Sequence, residues 1–240
     1  MIDTSKNMWR TKGRLNFSLR GLVFYAPLWN LQCRTDPFNA WDVANSTVIS
    51  CDRTGGVMGV TGFTADGDDN IDCGNLSQLN FGDGASFSLT GWVNSADLGT
   101  YRTIISKGTG DGFQACWFIR FNNTGNFNIQ IADGAQYRIV YTTAANFDDA
   151  AWHHLAVIKD GDTAIYIYVD GSAEATTGSG DALNTVDSMS NAGSVFIGKL
   201  NSVGDNFTYT GTIGELIVYN RALSSAEVAH IYNTTKGRYL

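Results

Sequence analysis

The chain has 240 residues, of which 43% are hydrophobic and 12% aromatic, so it can bury a core of its own. Its formal net charge of −7 argues against nucleic acid as a partner, and its apolar run at residues 22–31 is too short for insertion across a membrane. With 27 glycines and 2 prolines, the composition favours many strands and tight turns over helices.

The first 20 residues are basic, whereas the rest of the chain is acidic. Their five cations are Lys6, Arg10, Lys12, Arg14 and Arg20, and their one acid is Asp3. The segment therefore carries +4 (5 − 1), which leaves −11 (−7 − 4) for the remaining residues. We expect residues 1–20 to form a basic N-terminal arm, which is either a solvated tail or an arm that docks on a neighbouring acidic subunit.

From residue 21 onwards, short segments of alternating apolar and polar residues predict strands. These segments are residues 22–29, 87–93, 103–107, 115–121, 127–132, 137–142, 152–159, 164–170, 195–198 and 212–219. Asp-Gly pairs separate many of them, and such pairs favour tight turns between antiparallel strands. Because neither a linker nor a repeat interrupts the series, we predict a single all-β domain over residues 21–240, folded as an antiparallel sandwich or jelly roll.

One short helix is predicted near the C-terminal end of the sequence. Ser224 and Glu227 are three residues apart, the spacing of a capping box, in which each side chain bonds the backbone N–H of the other residue. Val228 and Ile231 then share one face of the helix. We expect that face to pack on the sandwich.

Five pieces of sequence occur in an order that resembles one family. They are GLVFYAPL at residues 21–28, GFTADGDDNID at 62–72, FSLTGWV at 87–93, WHHLAVIKDGDTAIYIYVDG at 152–171 and GTIGELIVYNRALS at 211–224. Together they resemble the laminin-G-like branch of the concanavalin A-like lectin/glucanase superfamily over residues 21–235. The resemblance implies a concanavalin A-like sandwich. It does not fix function, because lectins, glycanase domains, adhesins and viral surface proteins share this fold.

The resemblance raises the question of catalysis. Glycanases of this superfamily use two carboxylates a few residues apart on one strand. Here the only glutamates are Glu174, Glu215 and Glu227, and they are widely separated. The adjacent His153 and His154 point to opposite faces of a strand, so they cannot converge on one ligand. We therefore expect a protein that is not an enzyme.

Hard oxygen ligands suited to calcium cluster in one glycine-containing loop, at Asp66, Asp68, Asp69 and Asn70. The resemblance implies a structural calcium held by this loop and by an acidic residue of the late strand. Gly214 stands where that acidic residue is usual, which leaves Glu215 as the fifth candidate ligand. The alternative is a plain turn in which these side chains cap their own backbone.

A binding module of this family would take a glycan or another surface ligand as its partner. Aromatic faces for stacking and planar polar groups for hydroxyls make six residues candidates: Trp41, Tyr101, Trp117, Arg120, Asn122 and Asn123. We expect such a module to belong to a larger assembly. The alternative is a structural virion component, such as a capsid-associated, decoration or fibre protein, docked through residues 1–20. Residues 1–21 show no secretory signal, and a virion or extracellular surface is the expected location.

The four cysteines are Cys33, Cys51, Cys73 and Cys116. Their spacing contains no CxxC pair, which argues against a zinc site. A Cys33–Cys51 bridge and four separate thiols both fit the sequence. We favour four separate thiols, because a secretory signal would indicate an oxidising compartment and the sequence shows none.

Overall fold

A computed structural model describes residues 20–28, 34–35, 47–48, 51–96, 99–108, 114–200 and 207–240. Within these ranges the chain forms two antiparallel sheets around a shared apolar core, with one short α-helix near the C-terminal end. This architecture confirms the predicted concanavalin A-like sandwich.

The described strands are named in chain order. They are β1 (Leu22–Ala26), β2 (Arg34–Thr35), β3 (Thr47–Val48), β4 (Asp52–Thr54), β5 (Val57–Gly59), β6 (Gly62–Asp66), β7 (Asn70–Asp72), β8 (Phe87–Asn94), β9 (Arg102–Gly108), β10 (Cys116–Phe121), β11 (Phe127–Ala132), β12 (Tyr137–Thr142), β13 (Trp152–Asp160), β14 (Ala164–Val169), β15 (Ser172–Ala173), β16 (Thr176–Gly180), β17 (Val195–Ile197) and β18 (Thr210–Tyr219). Short 3₁₀ turns occur at Ser77–Leu79, Leu183–Thr185 and Lys236–Arg238.

The two sheets divide these strands between them. The first sheet has the order β15-β14-β13-β8-β18-β1-β2-β3, and β6 pairs with the start of β18 while β5 pairs with β6. The second sheet has the order β16-β12-β11-β10-β9-β17-β7-β4. Half of the neighbouring pairs in these two orders join strands that are not consecutive in the chain, so the sandwich depends on long-range pairing.

The core between the sheets is built from alternate residues of each strand. Trp117, Ile119 and Phe121 of β10 point into it. Because successive side chains of a strand point to opposite faces, Phe118 and Arg120 point away from the core. We call the side of the second sheet that is turned away from the first its outer face. The side chains of this outer face determine which polar and apolar groups a ligand could contact.

The outer face of the first sheet is covered by helix α1 (Ser225–Thr235). The helix begins as predicted, since Ser224 Oγ accepts a hydrogen bond from Glu227 N and the Glu227 carboxylate accepts one from Ser224 N. Val228 and Ile231 pack on Ile158 and its apolar neighbours in the sheet. This face is therefore occupied by the chain itself.

The β13–β14 hairpin confirms that the two histidines point to opposite faces. His154 lies under the helix, where its Nε2 is 2.7 Å from Thr90 Oγ1 and its ring centroid is 5.3 Å from that of Trp92. Burial lowers the pKa of His154 to about 4, so the ring is neutral near pH 7. His153 instead bonds the carboxylate of Asp170, with Nδ1 and Oδ2 2.9 Å apart.

A buried ion pair holds the loop before β13 against the second sheet. Arg102 Nη2 lies 2.5 Å from Asp148 Oδ2, and both side chains are almost fully buried. The Arg102 guanidinium carbon also lies 5.4 Å from the centroid of the Phe121 ring. The ion pair links β9 to this loop inside the sandwich.

Candidate functional site

The predicted stacking residue Trp117 belongs to the core. Its side chain is 0% exposed, and its ring centroid lies 5.8 Å from that of Phe81 and 6.0 Å from that of Phe87. Its Nε1 donates a hydrogen bond to Leu79 O at 3.1 Å. An indole enclosed in this way is not accessible to a sugar, so the expectation for Trp117 is corrected to a packing role.

Two other predicted ligand-binding residues, Tyr101 and Arg120, lie together on the outer face of the second sheet. The Arg120 guanidinium carbon is 4.3 Å from the Tyr101 ring centroid, 4.6 Å from that of Phe118 and 5.3 Å from that of Phe207. Tyr101 and Phe207 meet edge to face, with centroids 5.6 Å apart. These contacts are cation–π interactions, which fix the guanidinium between the buried ring of Phe118 and the half-buried rings of Tyr101 and Phe207. Phe118 and Phe207 were not identified from the sequence.

Strand pairing extends this cluster into two rows of side chains across the second sheet. The first row runs Thr103, Arg120, Asn128, Tyr141 and Thr177, and the second runs Ser106, Phe118, Gln130, Ile139 and Ser179. We call these ten residues the outer polar rows. They are buried on β9, β10 and β11, half-buried on β12 and exposed on β16. The rows therefore open to solvent from the β16 edge.

Two buried polar atoms of the first row have no hydrogen-bond partner among the described residues. They are Asn128 Oδ1 and Thr103 Oγ1. Asn128 is 3% exposed and Thr103 is 0% exposed. Buried polar groups are nearly always hydrogen-bonded in folded proteins, so these two atoms depart from the usual pattern. The alternation of polar residues with Phe127, Ile129 and Ile131 along β11 is the sequence signal that could have identified Asn128.

Asn122 and Asn123 lie in the turn between β10 and β11, where they differ in role. Asn122 Oδ1 accepts hydrogen bonds from Thr124 N at 2.9 Å and from Asn126 N at 3.0 Å. This oxygen stabilises the turn, which corrects the expectation that Asn122 is a free ligand-binding amide. Asn123 is exposed at the turn. Asn123 stays a candidate ligand-binding residue.

Several predicted residues lie outside the described ranges. They are Trp41 and four cations of the arm, Lys6, Arg10, Lys12 and Arg14. Arg20 is described; it is exposed, and its carbonyl oxygen accepts a hydrogen bond from Arg221 Nε at 2.8 Å. The division into an arm at residues 1–20 and a domain at 21–240 stays a prediction.

The acidic loop brings three of its predicted ligands together. One carboxylate oxygen from each of Asp66, Asp68 and Asp69 lies within 4.8 Å of the others. Asp69 Oδ2 also accepts a hydrogen bond from Asp66 N at 2.9 Å. A hydrogen bond with Asp69 and the charge of that carboxylate raise the pKa of Asp66. Calcium prefers carboxylate oxygens as ligands, and three of the predicted ligands lie close enough together to bind one ion. Asn70, the fourth predicted ligand of this loop, is buried at the start of β7.

Glu215, the fifth predicted calcium ligand, is engaged elsewhere. It is buried beneath the C-terminal segment, where its Oε2 lies 3.0 Å from Arg238 Nη1 and 3.1 Å from the Tyr25 hydroxyl. Its backbone N–H donates to the Tyr239 hydroxyl at 3.0 Å. The expectation for Glu215 is corrected: it anchors the C-terminal segment to the first sheet and is not part of the acidic cluster.

The glutamates that could serve glycoside hydrolysis occupy separate places. Glu227 caps the helix and binds Arg221, which lowers the pKa of Glu227 to about 2. Glu215 is held by Arg238, and Glu174 follows β15. This arrangement lacks a pair of glutamates on one strand.

A sequence model of the concanavalin A-like lectin/glucanases superfamily matches residues 65–229, which is more than half of the chain. The chain belongs to this superfamily. Among curated proteins, none matches the sequence. In the described part of the chain, no helix is long and apolar enough to cross a membrane.

Solved structures of low sequence identity share the fold. The binding domain of Paraclostridial Mosquitocidal Protein 1 aligns with a TM-score of 0.65 and 16% identity, over 90% of this chain and 53% of that domain. A botulinum neurotoxin serotype D ligand-binding domain in complex with N-acetylneuraminic acid aligns at 0.61 and 12%, over 90% and 52%. Domain 4 of AbnA, an extracellular arabinanase from Geobacillus stearothermophilus, in complex with arabinotriose, aligns at 0.60 and 20%, over 88% and 98%. The chain thus spans about half the length of the toxin domains.

Proposed function

We propose that this chain is a non-catalytic binding module that recognises glycans through the outer polar rows. The observation that carries the proposal is the opening of these rows to solvent, since Tyr141 and Ile139 of β12 are half-buried and the first row continues inward to the buried side chains of Asn128 and Thr103. The guanidinium of Arg120 lies next to them in the same row.

Aromatic rings beside the rows support a sugar as the ligand. Tyr101 lies over Arg120 at one end, and the half-buried Tyr141 belongs to the same row toward the open edge. Rings that flank planar polar groups combine apolar contact with hydrogen bonding, which is the mixture of surfaces that a sugar presents. The neighbours solved with arabinotriose and with N-acetylneuraminic acid support the same class of ligand.

Binding without hydrolysis is the form of function that we propose. The three glutamates are apart, and two of them are held in ion pairs. We propose an extracellular surface as the place of action and glycans or another surface ligand as the partner. The comparisons give no support to a virion component, and docking through residues 1–20 stays a prediction because that segment lies outside the described ranges.

A glycan array probed with the full chain tests the proposal, followed by calorimetric titration with arabinotriose, N-acetylneuraminic acid and any array hits. Tyr141→Ala should weaken binding about 3- to 10-fold, because an aromatic contact contributes about 0.5–1.5 kcal/mol. Tyr166→Ala is the matched control, since Tyr166 is 47% exposed on β14 of the other sheet. The proposal fails if no glycan binds or if both variants bind alike. Release of reducing sugar during the titration would overturn the non-catalytic part.

A further inference from the structure

Cys51 and Cys73 lie next to each other at the ends of two paired strands. In the β4–β7 pair, Asp52 is opposite Asp72, and the next residues outward are Cys51 and Cys73. Their Sγ atoms are 2.7 Å apart, and both side chains are buried. This separation is closer than a comfortable non-bonded contact between sulfur atoms and is a small displacement from the S–S bond length of about 2.05 Å. Facing positions of an antiparallel pair also meet the Cα spacing that a disulfide requires.

We propose that Cys51 and Cys73 form a structural disulfide in the mature protein. The bond forms by exchange with a small-molecule or protein disulfide. The two cysteine sulfurs are oxidised as their S–S bond forms, and the S–S bond of the donor is reduced to two thiols that take up the two protons. Since both sulfurs are buried in the folded chain, this exchange takes place before β4 closes on β7.

The bond would fix a strand that has little else to hold it. All three residues of β4 are exposed, and among the described strands it pairs only with β7, at the edge of the second sheet. Beyond β4, Gly55 lies against the acidic cluster: a Cβ atom on Gly55 would stand 1.6 Å from Asp69 Oδ1. The disulfide therefore also fixes the segment that borders the Asp66–Asp69 cluster.

Tryptic mapping of the full chain tests the bond directly, because trypsin places each cysteine in a different peptide. Cys33 falls in residues 21–34, Cys51 in 35–53, Cys73 in 54–102 and Cys116 in 108–120. The protein is folded in the presence of oxidised glutathione, denatured and blocked with N-ethylmaleimide without reductant. We expect peptide 35–53 joined to peptide 54–102. Maleimide on both Cys51 and Cys73, or a link between peptides 21–34 and 35–53, would overturn the proposal.

Thermal unfolding provides a second measurement. Closure of a loop of about 20 residues in a domain of this size predicts that reduction lowers Tm by about 6–12 °C. Cys51→Ala, Cys73→Ala and the double variant should all have the same lowered Tm and no further response to reductant. Cys116→Ala is the matched control, because this buried cysteine lies on the other face of the sheet and should retain the response. A wild-type Tm that is insensitive to reductant after complete oxidation would also contradict the proposal.

Discussion

Replacing Thr103 with Val should stabilise the protein, whereas the same replacement of Thr90 should destabilise it. Both threonines are buried on strands. Thr103 Oγ1 has no hydrogen-bond partner among the described residues, whereas Thr90 Oγ1 is 2.7 Å from His154 Nε2. Val keeps the branched shape of Thr and replaces only the hydroxyl group, with a methyl group. The pair therefore isolates the hydrogen-bonding state of each oxygen.

The magnitudes follow from these two environments. An unsatisfied buried hydroxyl destabilises a protein by about 1–3 kcal/mol, so Thr103→Val should gain about 1 kcal/mol, or about 2–4 °C in Tm. Thr90→Val leaves the buried ring of His154 without its partner and should lose about 1–3 kcal/mol. Urea unfolding at pH 7.5, followed by tryptophan fluorescence, measures both changes, and an unchanged m-value confirms that the unfolded state is the same.

Neither replacement should change glycan binding. Thr103 is 0% exposed, so its hydroxyl is not accessible to a ligand and Thr103→Val should keep the wild-type affinity. Thr90→Val should leave the affinity unchanged, because Thr90 lies on the outer face of the first sheet, beside His154. Equal loss of stability in both variants would refute the reasoning, since it would show that Thr103 Oγ1 is already satisfied in the folded protein.

Three further predictions follow from other parts of the structure. Calcium at 1 mM should raise the Tm of the wild type, because the ion binds the folded acidic cluster. Asp68→Asn should remove this rise in Tm, whereas Glu215→Gln should retain it. A rise in Tm that survives Asp68→Asn would exclude the acidic cluster as the calcium site. The lowered pKa of His154 gives stability that is complete above about pH 6.5 and is lost as pH falls toward about 4, so His154→Gln should flatten the free energy of unfolding over that interval; an unchanged slope would contradict this. Arg102→Ala should cost about 3–5 kcal/mol in urea unfolding, because it leaves Asp148 buried without its cation, and a loss below about 1 kcal/mol would show that the pair is hydrated.

Alternation and turn chemistry were sufficient to predict strands β8 to β14, but not β7, which lies inside the second sheet between β17 and β4. Residues 127–132 and 137–142 were predicted with the same ends as β11 and β12. By contrast, β16 was missed because its sequence, TTGSG, contains no apolar residue and two glycines. It forms by backbone pairing with β12 at a sheet edge, and such pairing leaves little trace in the side chains.

The site was predicted less well than the fold, because residue type does not reveal the face of a strand. Trp117 was selected as an aromatic, although its spacing from Ile119 and Phe121 already places it on the core face. Asn128 was not predicted because it lies inside a strand, whereas sugar-binding polar residues were expected mainly on loops. The contact between Cys51 and Cys73 depends on the pairing of β4 with β7, which no local pattern predicts.

The difference between the two outer faces explains why we place function on the second sheet. On the first sheet, Val228 and Ile231 of the helix cover apolar residues, and the Tyr239 ring stacks on Trp92 with centroids 4.7 Å apart. Such a cover stabilises the fold and leaves no room for a ligand. Buried polar atoms without a hydrogen-bond partner among the described residues occur on both outer faces: His154 Nδ1 and Tyr219 Oη on the first sheet, and Asn128 Oδ1 and Thr103 Oγ1 on the second. These atoms therefore do not distinguish the two faces. Access to solvent does, because the outer polar rows are half-buried on β12 and exposed on β16, where a ligand can reach the second sheet.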